Sequence, residues 1–184
     1  MTTPRRPAWP AVGLAVLALG LLGARPIDTG DALPQPEAAK GIVGVAPGYQ
    51  LPDFSATDLA GQPQSLGQYK GQVLVLHFWA SWCPYCRGEI PKLTRLAEQF
   101  GSKGVRVLAI SGDEDLELLK AFIADRRLPY PVVADMVSRT PVFDQYGMTW
   151  VGIPVTFILA KDGHTAFRLT GTSDIVGAVQ TLLK

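Results

Sequence analysis

The chain has 184 residues, of which 47% are hydrophobic, a composition that suits one globular domain and leaves little room for two. Three of its 17 basic residues lie in the first 25 positions, which leaves 14 basic residues against 16 acidic ones in the rest. The charge of this part is therefore near neutral, and its sequence shows no basic stripe, so we expect no nucleic acid partner.

The first 25 residues predict a signal peptide or an N-terminal membrane anchor. Arg5 and Arg6 precede an uncharged apolar run at 8–24, and Arg25 closes it. A basic start before an apolar run is typical of secretory signals, and about 17 to 25 apolar residues can also cross a bilayer. We favour an uncleaved anchor because no sharp cleavage site stands out, with the paired arginines on the cytoplasmic side and the rest outside.

Residues 26–46 predict a proline-rich linker that holds the following domain away from the membrane, because 26–41 are polar, contain three prolines and lack a hydrophobic period. From position 47 to 184, short apolar runs alternate with amphipathic stretches, which indicates a packed domain. A domain outside the cytoplasm lies in an oxidising compartment, where cysteines can form disulfides.

The first half of this domain predicts two buried strands, each followed by a helix. Residues 72–80 form a Val-rich, nearly unbroken apolar run, typical of a strand covered on both faces. Apolar residues then recur at helical spacing up to Phe100, with Pro84 at the first helical position, where its missing N–H costs nothing. Residues 104–111 predict the second strand, and 113–127 a helix with acids in its first turn.

The second half predicts shorter elements. We expect a short strand at 130–135, a short helix at 140–147, and a hairpin of strands at 154–160 and 164–170. Ser173 is predicted to cap a last helix. This order of elements indicates an α/β fold with a small mixed sheet.

Cys83 and Cys86 are the only cysteines, and three interpretations of the pair compete. A structural zinc site needs about four ligands, and only His77 and His164 could add to the pair, so we expect no metal. A structural staple across so small a loop removes little chain entropy. Redox chemistry fits best, because Cys83 lies where a strand ends and a helix begins, and the helix dipole favours a thiolate there. We therefore expect Cys83 to be exposed and nucleophilic, and Cys86 to be more buried and to resolve mixed disulfides.

Two segments make a resemblance specific. F-W-A-S-W-C-P-Y-C (78–86) resembles the active-site segment of the thioredoxin superfamily, and G-I-P-V-T-F (152–157) resembles its cis-proline segment. The resemblance implies a thioredoxin-like fold with a mixed central sheet flanked by helices. It also implies that Pro154 is cis and faces the cysteines, with the Ile153 backbone presented to an extended substrate chain.

Two further segments resemble TlpA-like proteins, the TlpA, ResA and CcmG type. Residues 51–71 look like their N-terminal hairpin, and 114–134 would be a helix and strand inserted between the two motifs. The resemblance implies a periplasmic thiol–disulfide oxidoreductase, anchored in the inner membrane and without a cofactor. Protein disulfides would be its substrates, and a membrane thiol-reducing electron donor would be its partner. Val155 departs from the acidic residue usual after the cis proline in the CcmG-like branch, which weighs against a role in cytochrome c maturation.

Two ionisable residues are candidates for proton transfer. His77 occupies the position where thioredoxins usually hold a buried acid, and a histidine can perform the same transfer near neutral pH. The alternative is a core histidine that only hydrogen-bonds its neighbours. Glu89 matches an acid that some TlpA-like reductases place beside their cysteines, where it would tune the thiol pKa values. The alternative is an exposed glutamate in the first helical turn.

The aromatic and proline residues around the pair predict the substrate surface. Trp82 is expected to contribute to it, whereas Trp79 is expected in the core. Pro84 and Tyr85 are expected to set the local geometry and the redox poise.

The resemblance to TlpA-like proteins implies a reductase, which we favour; an oxidant or isomerase is the alternative, because the same fold spans strong reductants and strong oxidants. A non-catalytic client-binding module is a further alternative. A peroxidase is disfavoured, because peroxiredoxin sites place a proline and a threonine ahead of a lone peroxidatic cysteine.

Overall fold

A computed structural model describes residues 47–138, 142–148 and 152–184. The predicted anchor at 1–25 and the predicted linker at 26–46 lie outside these residues. In the part of the chain that the structure describes, no helix is long and apolar enough to cross a membrane.

The described residues form short and long elements in an alternating α/β order. The strands and helices, in chain order, are β1 (Ala56–Thr57), β2 (Pro63–Gln64), β3 (Val73–Trp79), α1 (Pro84–Phe100), β4 (Val105–Ser111), α2 (Leu116–Arg126), β5 (Val132–Ala134), α3 (Asp135–Ser138), α4 (Val142–Gln145), β6 (Val155–Leu159), β7 (Thr165–Thr170) and α5 (Ile175–Thr181). Two short 3-10 turns cover Gly67–Tyr69 and Gly101–Lys103.

The central sheet has five strands in the order β5-β4-β3-β6-β7. β3, β4 and β5 run parallel, whereas β6 is antiparallel to both β3 and β7. β1 and β2 form a separate antiparallel pair. The predicted mixed sheet, the N-terminal hairpin and the inserted helix and strand, α2 and β5, are therefore confirmed.

Strand β3 divides the core into two clusters, one on each face of the sheet. All seven of its residues are buried, as the unbroken apolar run predicts. Successive side chains of a strand point to opposite faces, so Leu74, Leu76 and Phe78 join one cluster. The odd-numbered residues, His77 among them, point to the face that α1 covers.

The first and last helices, α1 and α5, begin at different kinds of capping residue. Pro84 is the first residue of α1, as predicted, and Cys83 is its N-cap. The prediction that Ser173 caps the last helix is wrong, because the side chain of Asp174 accepts the hydrogen bond from the Gly177 N–H. The Ser173 hydroxyl donates instead to the Thr170 carbonyl oxygen.

Candidate active site

Cys83 and Cys86 are joined by a disulfide at the N-terminus of α1, with their Cα atoms 5.3 Å apart. Cys83 ends the loop after β3, and Cys86 lies in the first turn of the helix. The Cys86 backbone N–H donates to Cys83 Sγ at 3.3 Å. Because free N–H groups at a helix start favour negative charge, this position favours a thiolate at Cys83 once the disulfide is reduced.

The disulfide is more buried than the sequence predicts. Cys83 was expected to be exposed, but only 4% of its surface is accessible, and Cys86 is fully buried. Cys83 lies in the cluster that packs against α1, with partly buried Ile153 beside it. The expectation fails because a position at a helix start says nothing about the loops that fold over it. Cys86 is the more buried of the two, as predicted.

The cis-proline segment lies against the disulfide. The Ile153–Pro154 peptide bond is cis, which confirms the prediction from the sequence motif. The Ile153 carbonyl oxygen is 3.9 Å from Cys83 Sγ, although the two residues are 70 positions apart. Gly152 precedes them with a φ of 74°, a left-handed conformation that glycine adopts without a steric penalty.

On the face of β3 that α1 covers, His77, Thr156 and Glu89 form a buried polar cluster. His77 and Thr156 are paired across β3 and β6, and the His77 Nδ1 atom is 2.9 Å from the Thr156 Oγ1 atom. The Glu89 Oε2 atom lies 3.8 Å from the same ring nitrogen. Burial lowers the pKa of His77 to about 3, so the imidazole is neutral at physiological pH.

Glu89 is held by the loop that precedes the last helix. Its Oε1 atom accepts a hydrogen bond from the Ser173 N–H at 3.3 Å, and Lys92 Nζ donates to the Ser173 carbonyl oxygen at 2.9 Å. Burial raises the pKa of Glu89, and the Ser173 N–H and the charge of Lys92 partly oppose this rise. Glu89 Oε2 and His77 Nε2 are buried without a hydrogen-bond partner. Of the two alternatives for Glu89, the exposed glutamate is therefore wrong.

The residues predicted around the cysteines divide between surface and core. Trp82 is 65% exposed and Tyr85 is 67% exposed, and Pro84 between the cysteines is also exposed. Trp79 is buried, as predicted. The exposed side chains therefore surround a disulfide that is itself covered.

Sequence reasoning missed two partners of this site, Thr156 and Asp113. The buried carboxylate of Asp113 accepts hydrogen bonds from the Ser81 N–H at 2.9 Å and from the Ser81 hydroxyl at 2.6 Å. It thereby ties the loop before Cys83 to the end of β4. Asp113 was assigned only to the start of a helix, because no local pattern links it to a residue 32 positions away.

The comparisons with known proteins agree with this geometry. A model of the AhpC/TSA family matches residues 47–168. The chain belongs to the AhpC/TSA family. It is 32% identical over 124 residues to the thiol-disulfide oxidoreductase ResA of Bacillus thuringiensis subsp. konkukian, covering 67% of this chain and 69% of ResA. It is also 32% identical over 128 residues to the thioredoxin-like protein YneN of Bacillus subtilis, covering 68% of this chain and 72% of YneN.

Solved structures place this AhpC/TSA family member among thioredoxin folds. The thioredoxin domain of a thiol-disulfide oxidoreductase from Bacteroides vulgatus superposes with a TM-score of 0.67 at 25% identity, covering 77% of this chain and all of that domain. With the Cys83–Cys86 pair in a C-x-x-C motif, these matches identify the protein as a thiol–disulfide oxidoreductase of the thioredoxin fold, and the resemblance to ResA-type proteins is confirmed.

Proposed function

We propose that this protein is a disulfide reductase that works outside the cytoplasm on protein substrates. The observation that carries the direction is the surroundings of Cys83 Sγ. In the described part of the chain, its polar contacts are the Cys86 N–H at 3.3 Å and the Ile153 carbonyl oxygen at 3.9 Å. Among the described residues, no lysine, arginine or histidine side chain bonds to this sulfur, and the two residues between the cysteines, Pro84 and Tyr85, carry no positive charge.

This environment favours a reducing protein for a physical reason. Strongly oxidising members of this fold stabilise the reduced thiolate, which lowers the cysteine pKa and raises the reduction potential. Here burial and a nearby carbonyl oxygen oppose the thiolate, and only the helix N-terminus supports it. The reduced form is therefore less stabilised, and it gives up its electrons more readily.

The reaction proceeds through a mixed disulfide. The Cys83 thiolate attacks one sulfur of a substrate disulfide, that bond breaks, and the released substrate thiolate takes up a proton. The Cys86 thiolate then attacks Cys83 Sγ and releases the second substrate thiol. The substrate gains two electrons and two protons, and the protein is left with the Cys83–Cys86 disulfide. A membrane thiol-reducing donor restores the dithiol.

The buried polar cluster serves the second step. Cys86 and Glu89 are three residues apart on α1 and therefore lie on the same side of the helix. His77 is neutral, and its Nε2 atom has no hydrogen-bond partner. We assign to Glu89 the removal of the proton from the Cys86 thiol, because a buried thiol needs a nearby acceptor to become a nucleophile and burial raises the pKa of this carboxyl. His77, whose pKa is lowered to about 3, is too weak a base for that step and acts as a neutral neighbour of Glu89.

The remaining assignments concern the substrate and the location. The exposed Trp82, Pro84 and Tyr85 contact the substrate, and the Ile153 backbone beside Pro154 hydrogen-bonds to its extended chain. The N-terminal segment 1–25 holds the protein in the inner membrane with its domain in the periplasm. Support for this location is the basic start and uncharged run of that segment.

The reduction potential tests the direction. We expect a value closer to that of thioredoxin, about −270 mV, than to that of a strong oxidant such as DsbA, about −120 mV. Equilibration with glutathione or dithiothreitol buffers, followed by alkylation and mass spectrometry, measures it. A value near −120 mV would make the protein an oxidant.

Trapping tests the mechanism. Cys86→Ser should accumulate mixed disulfides with substrates through Cys83, and mass spectrometry of the purified adducts identifies them. The matched control is Cys83→Ser, in which the buried Cys86 should trap little and exchange should stop. Equal trapping by the two variants would contradict the assigned roles.

A further inference from the structure

A groove beside the redox disulfide lies outside the machinery described so far. It encloses about 410 Å³ between the Ser81–Trp82 segment on one side and residues 112–115 with Leu118 on the other. Trp82 lines the groove and directly precedes Cys83 in the chain, so one wall of the groove belongs to the loop that carries the reactive cysteine.

The floor of the groove is fixed by hydrogen bonds. Asp113 accepts from the Ser81 N–H, the Ser81 hydroxyl and the Ser111 hydroxyl, the last at 2.6 Å. The Gly112 N–H also donates to the Trp79 carbonyl oxygen at 2.9 Å. These bonds join the two walls, so the groove exists before a partner arrives and binding need not order it.

The walls leave apolar surface open to solvent. Trp82 is 65% exposed and Leu118 is 66% exposed, and both line the groove. Tyr85, in the first turn of α1 two residues after Cys83, is also exposed. Of the five large hydrophobic side chains that are exposed in the described part of the chain, two line the groove and a third lies within two residues of Cys83. Clustered exposed apolar residues mark interaction surfaces, whereas single ones need no explanation.

The charge on the groove has one sign. Glu114 and Asp115 are exposed at its rim, and none of the residues that line it is basic. Asp115 caps helix α2 by accepting from the Glu117 and Leu118 N–H groups, whereas the Glu114 side chain has no hydrogen bond or ion pair with the other described residues. Neither carboxylate is neutralised by a lysine or arginine within the described residues. A rim of uncompensated negative charge attracts positive charge and speeds its encounter.

We propose that this groove selects substrates whose reactive cysteine is flanked by a basic residue and an apolar one. The apolar side chain packs between Trp82 and Leu118, and the basic side chain meets Glu114 and Asp115. This inference rests on the proposed reductase function, because it places the substrate segment next to Cys83.

The test uses two peptides, each with one intramolecular disulfide, of equal length and identical except beside the first cysteine. One carries Lys-Leu there, and the other carries Glu-Leu. The pre-reduced full-length protein is mixed with each peptide, acid-quenched, and the second-order rate constant is read from the reduced peptide by chromatography. We expect the Lys-Leu peptide to react about ten-fold faster at low salt, and the ratio to shrink at about 1 M salt, where screening is strong.

Charge-removing variants locate the selectivity. Glu114→Gln with Asp115→Asn should lower the rate for the Lys-Leu peptide about three- to ten-fold and leave the Glu-Leu peptide unchanged or faster. Asparagine keeps the helix cap. The matched control is Glu98→Gln with Asp125→Asn, which removes two exposed charges elsewhere, Glu98 being about 20 Å along α1 from its start. It should change neither rate. Leu118→Ala should slow both peptides, whereas Met136→Ala, which alters another exposed apolar side chain, should not.

The outcomes separate the two proposals. If the reduced protein reduces both peptides at one rate, or if the control pair has the same effect as the groove pair, the groove does not select substrates and the reductase assignment stands. If the reduced protein, with both thiols titrated, reduces neither peptide nor a protein disulfide such as that of insulin, the reductase function is wrong and the groove proposal falls with it.

Discussion

The two faces of the central sheet are built from alternate residues of the same strand, yet they differ in polarity. On one face, Phe78 packs against Phe143, Tyr146 and Phe157, with ring centroids 5.3 to 6.0 Å apart. On the other face, β3 carries the buried His77, with Thr156 and Glu89 close to it, and this face is covered by α1, the helix that carries the disulfide. The aromatic face follows the ordinary rule of apolar burial, and the disulfide face departs from it.

The departure has an energetic meaning. A buried polar atom without a hydrogen-bond partner costs about 1–3 kcal/mol, and the disulfide face holds two ionisable side chains with such atoms, His77 Nε2 and Glu89 Oε2. An apolar residue at either position would fill the space without that cost. The rings around Phe78 pack without a buried unpaired polar atom, whereas the disulfide face carries the cost of such atoms, which we propose is retained for proton transfer by Glu89.

The largest expected effect is on the aromatic face. Phe78→Ala should lower the free energy of unfolding by about 3–5 kcal/mol, because it opens a cavity among fully buried rings. Chemical denaturation measures the loss. The rate of thiol–disulfide exchange, measured at low temperature where the variant is folded, should stay within about two-fold of the wild-type rate, since this side chain points away from the disulfide. A large loss of activity in the folded variant would break the distinction between the faces.

On the disulfide face, Glu89→Gln should lower the rate of substrate reduction at pH 7 by about 10- to 100-fold, because glutamine cannot take a proton from Cys86. The amide oxygen keeps the bond from Ser173, so the unfolding free energy should change by less than about 1 kcal/mol. The decisive measurement is the rate of substrate reduction from pH 5 to 9. In the variant, the change of rate with pH that reflects titration of the Glu89 carboxyl should be absent. Glu98→Gln on the same helix is the matched control and should behave as the wild type.

The pH dependence of stability sharpens the same contrast. Burial lowers the folded pKa of His77 from 6.5 to about 3. Its contribution to stability is therefore complete above pH 6.5 and is lost as the pH falls toward 3, at about 1.4 kcal/mol per pH unit for one proton. The raised pKa of Glu89 acts in the opposite direction, since its contribution is complete below its unfolded pKa and is lost as the pH rises through the folded value.

His77→Gln should remove the acid-side slope between pH 6.5 and 5, as unfolding by urea at each pH measures. The chain has only one other histidine, so His164→Gln, on an exposed loop, is the matched control and should keep the slope. A slope that persists in His77→Gln would mean that other buried groups control the acid sensitivity.

The smallest effect concerns the rim of the site. Tyr85→Ala should change the unfolding free energy by less than about 0.5 kcal/mol, because the side chain is mostly exposed. The rate of exchange with a protein substrate should fall by about two- to five-fold through lost contact area. Tyr49→Ala, which alters an exposed tyrosine in the N-terminal part of the domain, should leave that rate unchanged.

Much of the architecture could be predicted because it depends on local patterns. The Val-rich run predicts a strand buried on both faces, and the structure places β3 at the centre of the sheet with every residue buried. Pro84 at the first helical position and the cis bond before Pro154 follow from short motifs. One cap was misplaced by a residue, because Ser173 and Asp174 are both good capping residues and only the backbone geometry chooses between them.

By itself, the sequence determined the redox pair, its place at a helix start, and the order of strands and helices, because these follow from spacing and periodicity along the chain. Only the tertiary structure decided that Cys83 is covered, that Glu89 is buried near His77, and that Thr156 and Ser173 complete their surroundings. The partners of this cluster come from segments about 80 positions apart, which meet only when β6 pairs with β3 and the last loop packs on α1. Local patterns do not encode such meetings, since they depend on strand register and on which loops close over the site.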